Sequence, residues 1–459
     1  MLQKLSCWRY KVNYNLQGPE LLKFLQEASV EELRAALKNI HPADILDALE
    51  AYKGDAIAFL AKLPNEILAD VIEEAEEEDK SGIFDLFHLD QKKEIISEMA
   101  SDELVDLLVS IDPEEAADLI ESLDAEDAQD VKALMQYGPE TAGGIMATEF
   151  VTIQDNMTVL ETLEYLQKYG KEAETISYLY VLDECETLKG VVSLKDIVVH
   201  RFTDSVAPLI KINIISVSPE LDQEEVAGIF KKYGFSSMPV VDAQDKMLGV
   251  ITADDVLDVV VDESTEDFEK MAGLALREGD YLETGVFKLA RKRIFWLLFL
   301  MISATFTSLI IQGYEGALAS VLILAAFIPM LMDTGGNAGS QSATLIIRGM
   351  ALGEIYIKDY FAVVFKEIRV SLIVGTVLAI VNFLRIWLFN QDILLAMTVS
   401  LSLLFTIVLA KTVGCTLPIV ARKLKIDPAI MAAPIITTIV DVLSLIVYFK
   451  LAGLLYLQS

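Results

Sequence analysis

The last long apolar run of the chain, residues 429–455, reads AIMAAPIITTIVDVLSLIVYFKLAGLL and is long enough to cross a bilayer as a helix. Near its middle stands one carboxylate, Asp441, with Thr437 and Thr438 about one turn before it. A carboxylate at that depth is costly unless it faces a wet cavity or a cation. Two readings stand side by side: a protonated Asp bonding two helices, or an ion ligand.

The 459 residues are 53% apolar yet carry a formal net charge of −32. Both can hold only if the two properties are segregated. The stretch before about residue 290 is acidic and polar, and the rest is dominated by apolar runs. Such negative charge argues against nucleic acid as a partner and favours cations. The opening stretch MLQKLSCWRYKVNYNLQGPE lacks an apolar run, so no cleavable signal peptide is expected. Cys7, Cys185 and Cys415 lie too far apart to suggest a disulfide frame or a zinc site. With only His41, His88 and His200, an imidazole site for a transition metal is not expected either. These features point to an integral membrane protein with a large, reduced, cytoplasmic N-terminal part.

From Val30 onward, short amphipathic helices recur every 20 to 25 residues or so, among them SVEELRAAL, HPADILDAL, LPNEILADVI, LDQKKEIISEM, SDELVDLLVSI and DPEEAADLI. Leu and Ile recur at three- and four-residue spacing with acids opposite, which predicts a solenoid-like all-α domain over 1–138. Between Ser101 and Asp130 lie twelve acidic residues and no Lys or Arg. Adjacent turns there cannot neutralise one another, so this surface is expected to repel itself unless cations enter.

Over 139–261 the pattern turns to strands and helices, and two halves match. Lys168-Tyr169-Gly170 aligns with Lys232-Tyr233-Gly234, and Gly190-Val191-Val192-Ser193 with Gly249-Val250-Ile251-Thr252. Each half ends on a β-run, a hydroxyl and an Asp at the head of a helix. This resembles a tandem of CBS domains, an α/β regulatory module. The resemblance implies that Ser193/Asp196 and Thr252/Asp255 hold the ribose of an adenine nucleotide; helix capping accounts for the same residues. Asp255, Asp258, Asp262, Glu266 and Glu269 then share one helical stripe, where like charges need a counter-ion.

Residues 262–293 read as a connecting helix with a break at Gly279-Asp280, ending in Lys288, Arg291, Lys292 and Arg293. Five spans are expected within 294–459, near 294–312, 318–347, 368–389, 393–420 and 429–455. Arg348, Lys358, Lys366, Arg369, Arg422, Lys423 and Lys425 fall in two connections, which places the N-terminus inside and the C-terminus outside. The second span contains Pro329 and DTGGNAGSQSATLIIRG, with Asp333 and Asn337. It reads either as irregular backbone lining a cavity or as glycine-mediated helix packing. Pro434 is expected to loosen the last helix before Asp441. Lys411, in the fourth span, is an awkward cation that either pairs with Asp333 or Asp441 or faces the inner mouth.

The acidic helical domain, the CBS tandem, the connecting helix and the five spans together resemble the MgtE family of magnesium channels. The motif GGNAGSQSATLIIR (335–348) and the arrangement of Asp427, Pro428, Pro434 and Asp441 carry the likeness. It implies a homodimer in the inner membrane of the cell, importing Mg2+ along its twofold axis and closed by internal Mg2+ as negative feedback. Asp441 is then the pore ligand, supported by Asn337, Ala433 and Asp333. The resemblance also implies cytosolic regulatory ligands: Asp102, Asp106, Glu224, Asp255, Asp258, Glu263, Glu266 and Asp267. Gly234 stands where the family can offer a carboxylate. A related Mn2+ or Co2+ transporter and a CBS-gated anion carrier are the rival readings. No phosphate loop, nucleophile–base pair or metal triad suggests an enzyme.

Overall fold

In the computed structural model the described residues are 19–28, 32–33, 36–37, 40–50, 52, 57–75, 77–171, 173–183, 185–274, 284–315, 322–431 and 433–455. They divide into two compact units, Met1–Val260 and Val261–Ser459. In the first, the periodic Leu and Ile form α1 (Pro19–Glu27), α2 (Pro42–Glu50), α3 (Ile57–Leu60), α4 (Asn65–Glu73), α5 (Glu77–Phe84), α6 (Leu89–Ile96), α7 (Ser101–Ser110), α8 (Pro113–Ile120) and α9 (Asp127–Leu134). Alternate helices stack, α4 on α6 and α7 on both α5 and α9. The sharp entry into α8 follows from its sequence: Pro113 fits the first turn, and Asp112 accepts the Glu114 amide at 2.9 Å. The helix expected at 29–37 lies largely outside the described residues.

The acid-rich stretch 101–130 is less uncompensated than its own residues suggest. Stacking brings lysines from earlier helices onto it. Lys80 of α5 pairs with Glu103, and Lys92 of α6 lies 2.7 Å from Glu115 and 2.9 Å from Asp85. Both lysines are buried. Neutralisation across a stack cannot be seen along one segment.

The rest of this unit is β1 (Phe150–Ile153), α10 (Val159–Tyr169), β2 (Thr175–Leu182), β3 (Leu188–Ser193), α11 (Leu194–Val199), α12 (Gln223–Tyr233), β4 (Ser237–Val241) and β5 (Met247–Thr252). Strand β1 runs parallel to β2, and β2 antiparallel to β3, with Tyr178 opposite Ser193 and Val181 opposite Gly190. In the second half Ser237 faces Thr252 and Val240 faces Gly249, the same register, and Val217 bridges Val240 in parallel where β1 stands in the first. The repeat legible in the sequence is thus a repeat of sheet geometry. Gly234 has φ +67° and caps α12 in the left-handed region, which explains a glycine there. The helical domain shares one core with the second half through Ala142, Val226, Phe230 and Met238, while Val151, Val159 and Leu179 build a separate core in the first.

Helix α13 (Ala253–Ala272) carries the chain into the second unit. The break expected at Gly279-Asp280 lies outside the described residues. There follow α14 (Val286–Gly313), a 3-10 segment Leu322–Phe327 leading into α15 (Ile328–Ala351), α16 (Tyr360–Asn390), α17 (Ile393–Lys423), a 3-10 turn Pro428–Met431 and α18 (Ala433–Leu455). Among the described residues, five helices are long and apolar enough to cross a membrane.

Between the two readings of the glycine-rich motif the structure favours packing, and one expectation about this unit is overturned. The glycine-rich motif is not irregular backbone, since α15 runs unbroken from Ile328 to Ala351. Its glycines admit neighbours instead: a Cβ on Gly339 would lie 2.7 Å from the Ile436 side chain, and one on Gly414 2.2 Å from the Gly339 carbonyl oxygen. Small residues let backbones touch where no water competes, which is the packing alternative. Pro434 does not loosen α18 either. It is the second residue of the helix, where its missing amide hydrogen is of no consequence.

Candidate ion pathway and acidic cluster

Helix α15 packs on α17 and α18 through its small residues. That leaves Asp333, Asn337, Gln341, Thr344 and Arg348 exposed along its remaining side, spaced three or four residues apart. Asn337 Nδ2 donates to Asp333 Oδ1 at 3.1 Å, which orients that carboxylate. Asp441, half-buried on α18, repels Asp333 electrostatically. Gly335 and Gly336, between Asp333 and Asn337, pack against Val440 and Thr437 of α18, which sets this stretch of α15 beside the turn that carries Asp441. Polar side chains uncovered on a membrane-length helix require water or protein against them. Ala433 opens α18. The carbonyl next to it, of Pro434, accepts the Thr437 and Thr438 hydroxyls at 2.9 and 3.0 Å. Those two threonines close the helix entry.

Lys411 pairs with neither Asp333 nor Asp441. Its ammonium lies 3.7 Å from Glu367 Oε2 on α16 and 3.3 Å from Ser342 Oγ on α15. Glu367 was missed because it lies among Lys366 and Arg369 and reads as part of a charged connection. Helix α16 takes it inward instead.

A second group of acids gathers in the first unit. Ser101 Oγ donates to Glu149 and accepts the Thr148 amide at 2.9 Å, which pins the start of α7. Asp102, in that first turn, is buried, and its Oδ1 has no hydrogen-bond partner among the described residues. Burial, then Asp255 and Glu103, hold its carboxyl well above the ordinary range. Burial also raises Asp255, against hydrogen bonds from the Thr252 hydroxyl at 2.6 Å and amide at 3.1 Å. Burial raises Glu103 in spite of Lys80, with Asp255 and Asp258 adding to it. Glu174 and Glu73 are pushed to about 7, chiefly by burial; Asp255 adds to the first, and Glu103 to the second.

Asp102, Asp255 and Asp258 thus meet through Glu103, with Asp106 one turn further along α7. Glu224 is exposed in the first turn of α12. Glu73, Glu103, Glu149 and Glu174 belong with the cluster; in the sequence Glu73 and Glu103 are indistinguishable from the acids around them, and Glu149 and Glu174 stand apart from the acid-rich stretches. Among the described residues no three acids, histidines or cysteines converge closely enough to chelate one ion directly. An ion that keeps its water shell needs only one or two carboxylates.

Glu266 and Asp267 lie elsewhere, in the second unit. Lys270 of α13 pairs with Glu266 and lies 2.6 Å from Asp427, which precedes Pro428. Burial opposes the charge on Lys270, but its hydrogen bonds to Asp427 and Glu266 outweigh this and raise its pKa. Burial raises Asp267 too, with Asp427 adding to it. Glu263 precedes these on the same helix. At the CBS hydroxyls, Ser193 Oγ donates to Asp196 Oδ2 at 2.6 Å and accepts the Asp196 amide at 3.2 Å, capping α11. Lys211 reaches Asp196 at 3.4 Å, leaving a carboxylate held below its usual range, first by Ser193.

Comparison with known proteins matches residues 328–451 to the MgtE family, described as divalent cation transporters. Residues 40–140 match the MgtE intracellular N domain, and 142–201 and 206–262 match CBS domains. The magnesium transporter MgtE of Thermus thermophilus is 36% identical over 439 residues, covering 95% of this chain and 97% of its own. The crystal structure of the soluble part of a magnesium transporter is 33% identical; it covers 53% of this chain and 96% of that one, with a TM-score of 0.50. The cytosolic domain of the Mg2+ channel MgtE in complex with ATP is 36% identical, covering 52% of this chain and 97% of that one, with a TM-score of 0.48.

Proposed function

This chain belongs to the MgtE family, and we propose that it is a multi-pass membrane protein that imports Mg2+ and is closed by internal Mg2+. Its relatives are transporters rather than enzymes, and its site holds carboxylates and amides rather than a reactive nucleophile. One observation carries the reading: Asp441 and Asp333 oppose each other beside an uncovered polar stripe on α15. Two carboxylates that repel each other in a membrane form a place for a divalent cation. Mg2+ is small and gives up water reluctantly, so Asp441 holds it through its hydration shell and lets it leave. The domains are assigned as 1–138, 139–261, 262–293 and 294–459.

The uncovered stripe of α15 supports a homodimer, in which a second copy covers it and sets two Asp441 carboxylates around one path. The basic connections after α15 and α17 support an N-terminus inside and a C-terminus outside. Asp102, Asp106, Asp255 and Asp258 act as the sensor in the first unit. Glu224 of the same unit, and Glu263, Glu266 and Asp267 of the second unit taken by themselves, are proposed as further Mg2+ ligands. In low Mg2+ their repulsion favours the open state, and bound Mg2+ favours the closed one by its higher affinity for it. The orphaned Asp102 oxygen is the feature of the cluster that fits this role. Ser193, Asp196 and Thr252 are the proposed ribose contacts for an adenine nucleotide; Ser193 and Thr252 each donate to the Asp three residues on, at 2.6 Å, and Lys211 lies beside Asp196. The test is Mg2+ uptake by the full chain against its Asp102→Asn/Asp255→Asn variant: the variant takes up Mg2+ but no longer slows as internal Mg2+ rises. A variant still inhibited like the wild type places the sensor elsewhere.

The cluster also sets a pH dependence. Glu73 and Glu174 have ordinary values of 4.5, and both rise to about 7 in the fold. For a raised acid, the stability contribution is fully present below about 4.5 and is lost as pH rises through about 7. Without divalent cations the cluster is therefore less stable at pH 8 than at pH 5.5, and Mg2+ binding displaces protons in between. Calorimetric titration of the full chain with Mg2+ in buffers of different ionisation enthalpy reads this directly. About one proton or more is released per cluster at pH 6, and close to none at pH 8.5.

A further inference from the structure

The buried charges of α16 and α17 have no part in the pathway as described. Lys411 and Glu367 are 5% and 8% exposed, and Ser342, between them, is fully buried. Ser342 Oγ donates to Glu367 Oε2 at 2.5 Å, and Lys411 Nζ lies 3.3 Å from that hydroxyl and 3.7 Å from the carboxylate. Three helices thus meet on one polar knot inside the membrane. The knot lies directly behind the pathway: a Cβ on Gly339 would be 3.2 Å from the carbonyl oxygen of Ala410, the residue before Lys411. Gly339 is two residues from Asn337. The knot is on the packed side of α15, and Asn337 is on the uncovered side.

A lysine this close to a cation path opposes conduction unless its charge is cancelled. Across about one helix diameter, roughly 10 Å, an uncompensated ammonium still repels a divalent ion appreciably at protein-like dielectric. The geometry points to Glu367 as a positioning and charge-compensating residue for conduction. Through Ser342, its carboxylate holds Lys411 against the back of α15 and cancels its field at Asn337 and Asp441. This assignment rests on the magnesium-channel reading above and adds a residue to it.

The test is Mg2+ uptake into proteoliposomes by full-length Glu367→Gln, Lys411→Met and the double variant, each checked for size and thermal unfolding in detergent. Glu367→Gln leaves the ammonium uncompensated and lowers uptake about tenfold or more. Lys411→Met leaves a negative charge and lowers it much less. The double variant, with neither charge, returns to within about twofold of wild type. This asymmetry and rescue separate field from packing, because a purely structural knot suffers alike from losing either partner. Should Glu367→Gln misfold, Glu367→Leu takes its place in each comparison, and Glu367→Asp, which keeps the charge, transports. Uptake by Glu367→Gln equal to wild type overturns the assignment, as does a folded double variant as inactive as Glu367→Gln. A wild type that does not transport Mg2+ overturns the underlying reading instead.

Discussion

Asp441→Ala removes most Mg2+ uptake, by at least about tenfold and up to about a hundredfold, which is the scale of losing a hydrogen bond to a charged group. The variant keeps its fold, since Asp441 is half-buried and forms no ion pair among the described residues. Asp333→Ala has a smaller effect of the same sign. Asp333 is exposed and oriented by Asn337, and it acts on the ion chiefly by adding charge beside Asp441. Radioisotope or fluorescent-indicator flux into vesicles measures both. If Asp441→Ala transports like wild type, Asp441 is a packing residue and the ion path must be sought along Asp333 and Asn337.

Gly414→Ala adds the methyl that meets the closest backbone neighbour of any described glycine in the membrane-spanning helices. The new Cβ would lie 2.2 Å from the Gly339 carbonyl oxygen, and that neighbour is backbone that cannot rotate away. Helices α15 and α17 must separate, and overpacking of this kind costs about 1–3 kcal/mol or more. Because Gly339 is two residues from Asn337, the polar stripe shifts with it, so stability and uptake fall together. Gly228→Ala in α12 is the matched control. Nothing lies within 4 Å of its added Cβ, and an alanine inside a helix gains about 0.5–1 kcal/mol. Thermal unfolding in detergent is expected to move down for the first and level or up for the second.

What was legible in the sequence and what was not divides along physical lines. Apolar runs of membrane length and charge-segregated loops are local properties, so the five helices could be read directly. The CBS repeat was legible because Gly190 and Gly249 sit at equivalent places in two hairpins of the same register. The motif around Gly335 and Gly339 read equally well as broken backbone or close packing, because glycine serves both; only the partners Thr406, Ile436 and Gly414 decide it. Long-range pairs were out of reach. Lys411 finds Glu367 across two helices, and Lys80 finds Glu103 across a stack. Glu73 and Glu174 join the acidic cluster only because burial brings them beside charges remote in the chain. Asp441 stood out from the start because a lone acid amid apolar residues needs a reason wherever the chain folds.

The most direct measurement is Mg2+ uptake by the purified full-length wild type in proteoliposomes, with Mg2+ on the side of the acidic domains raised in steps. Uptake that proceeds at low internal Mg2+ and declines steeply as it rises is the predicted result, since one ion species is then both cargo and the signal read by Asp102 and Asp255. Uptake that ignores internal Mg2+, or a flux that follows chloride instead of Mg2+, contradicts the account.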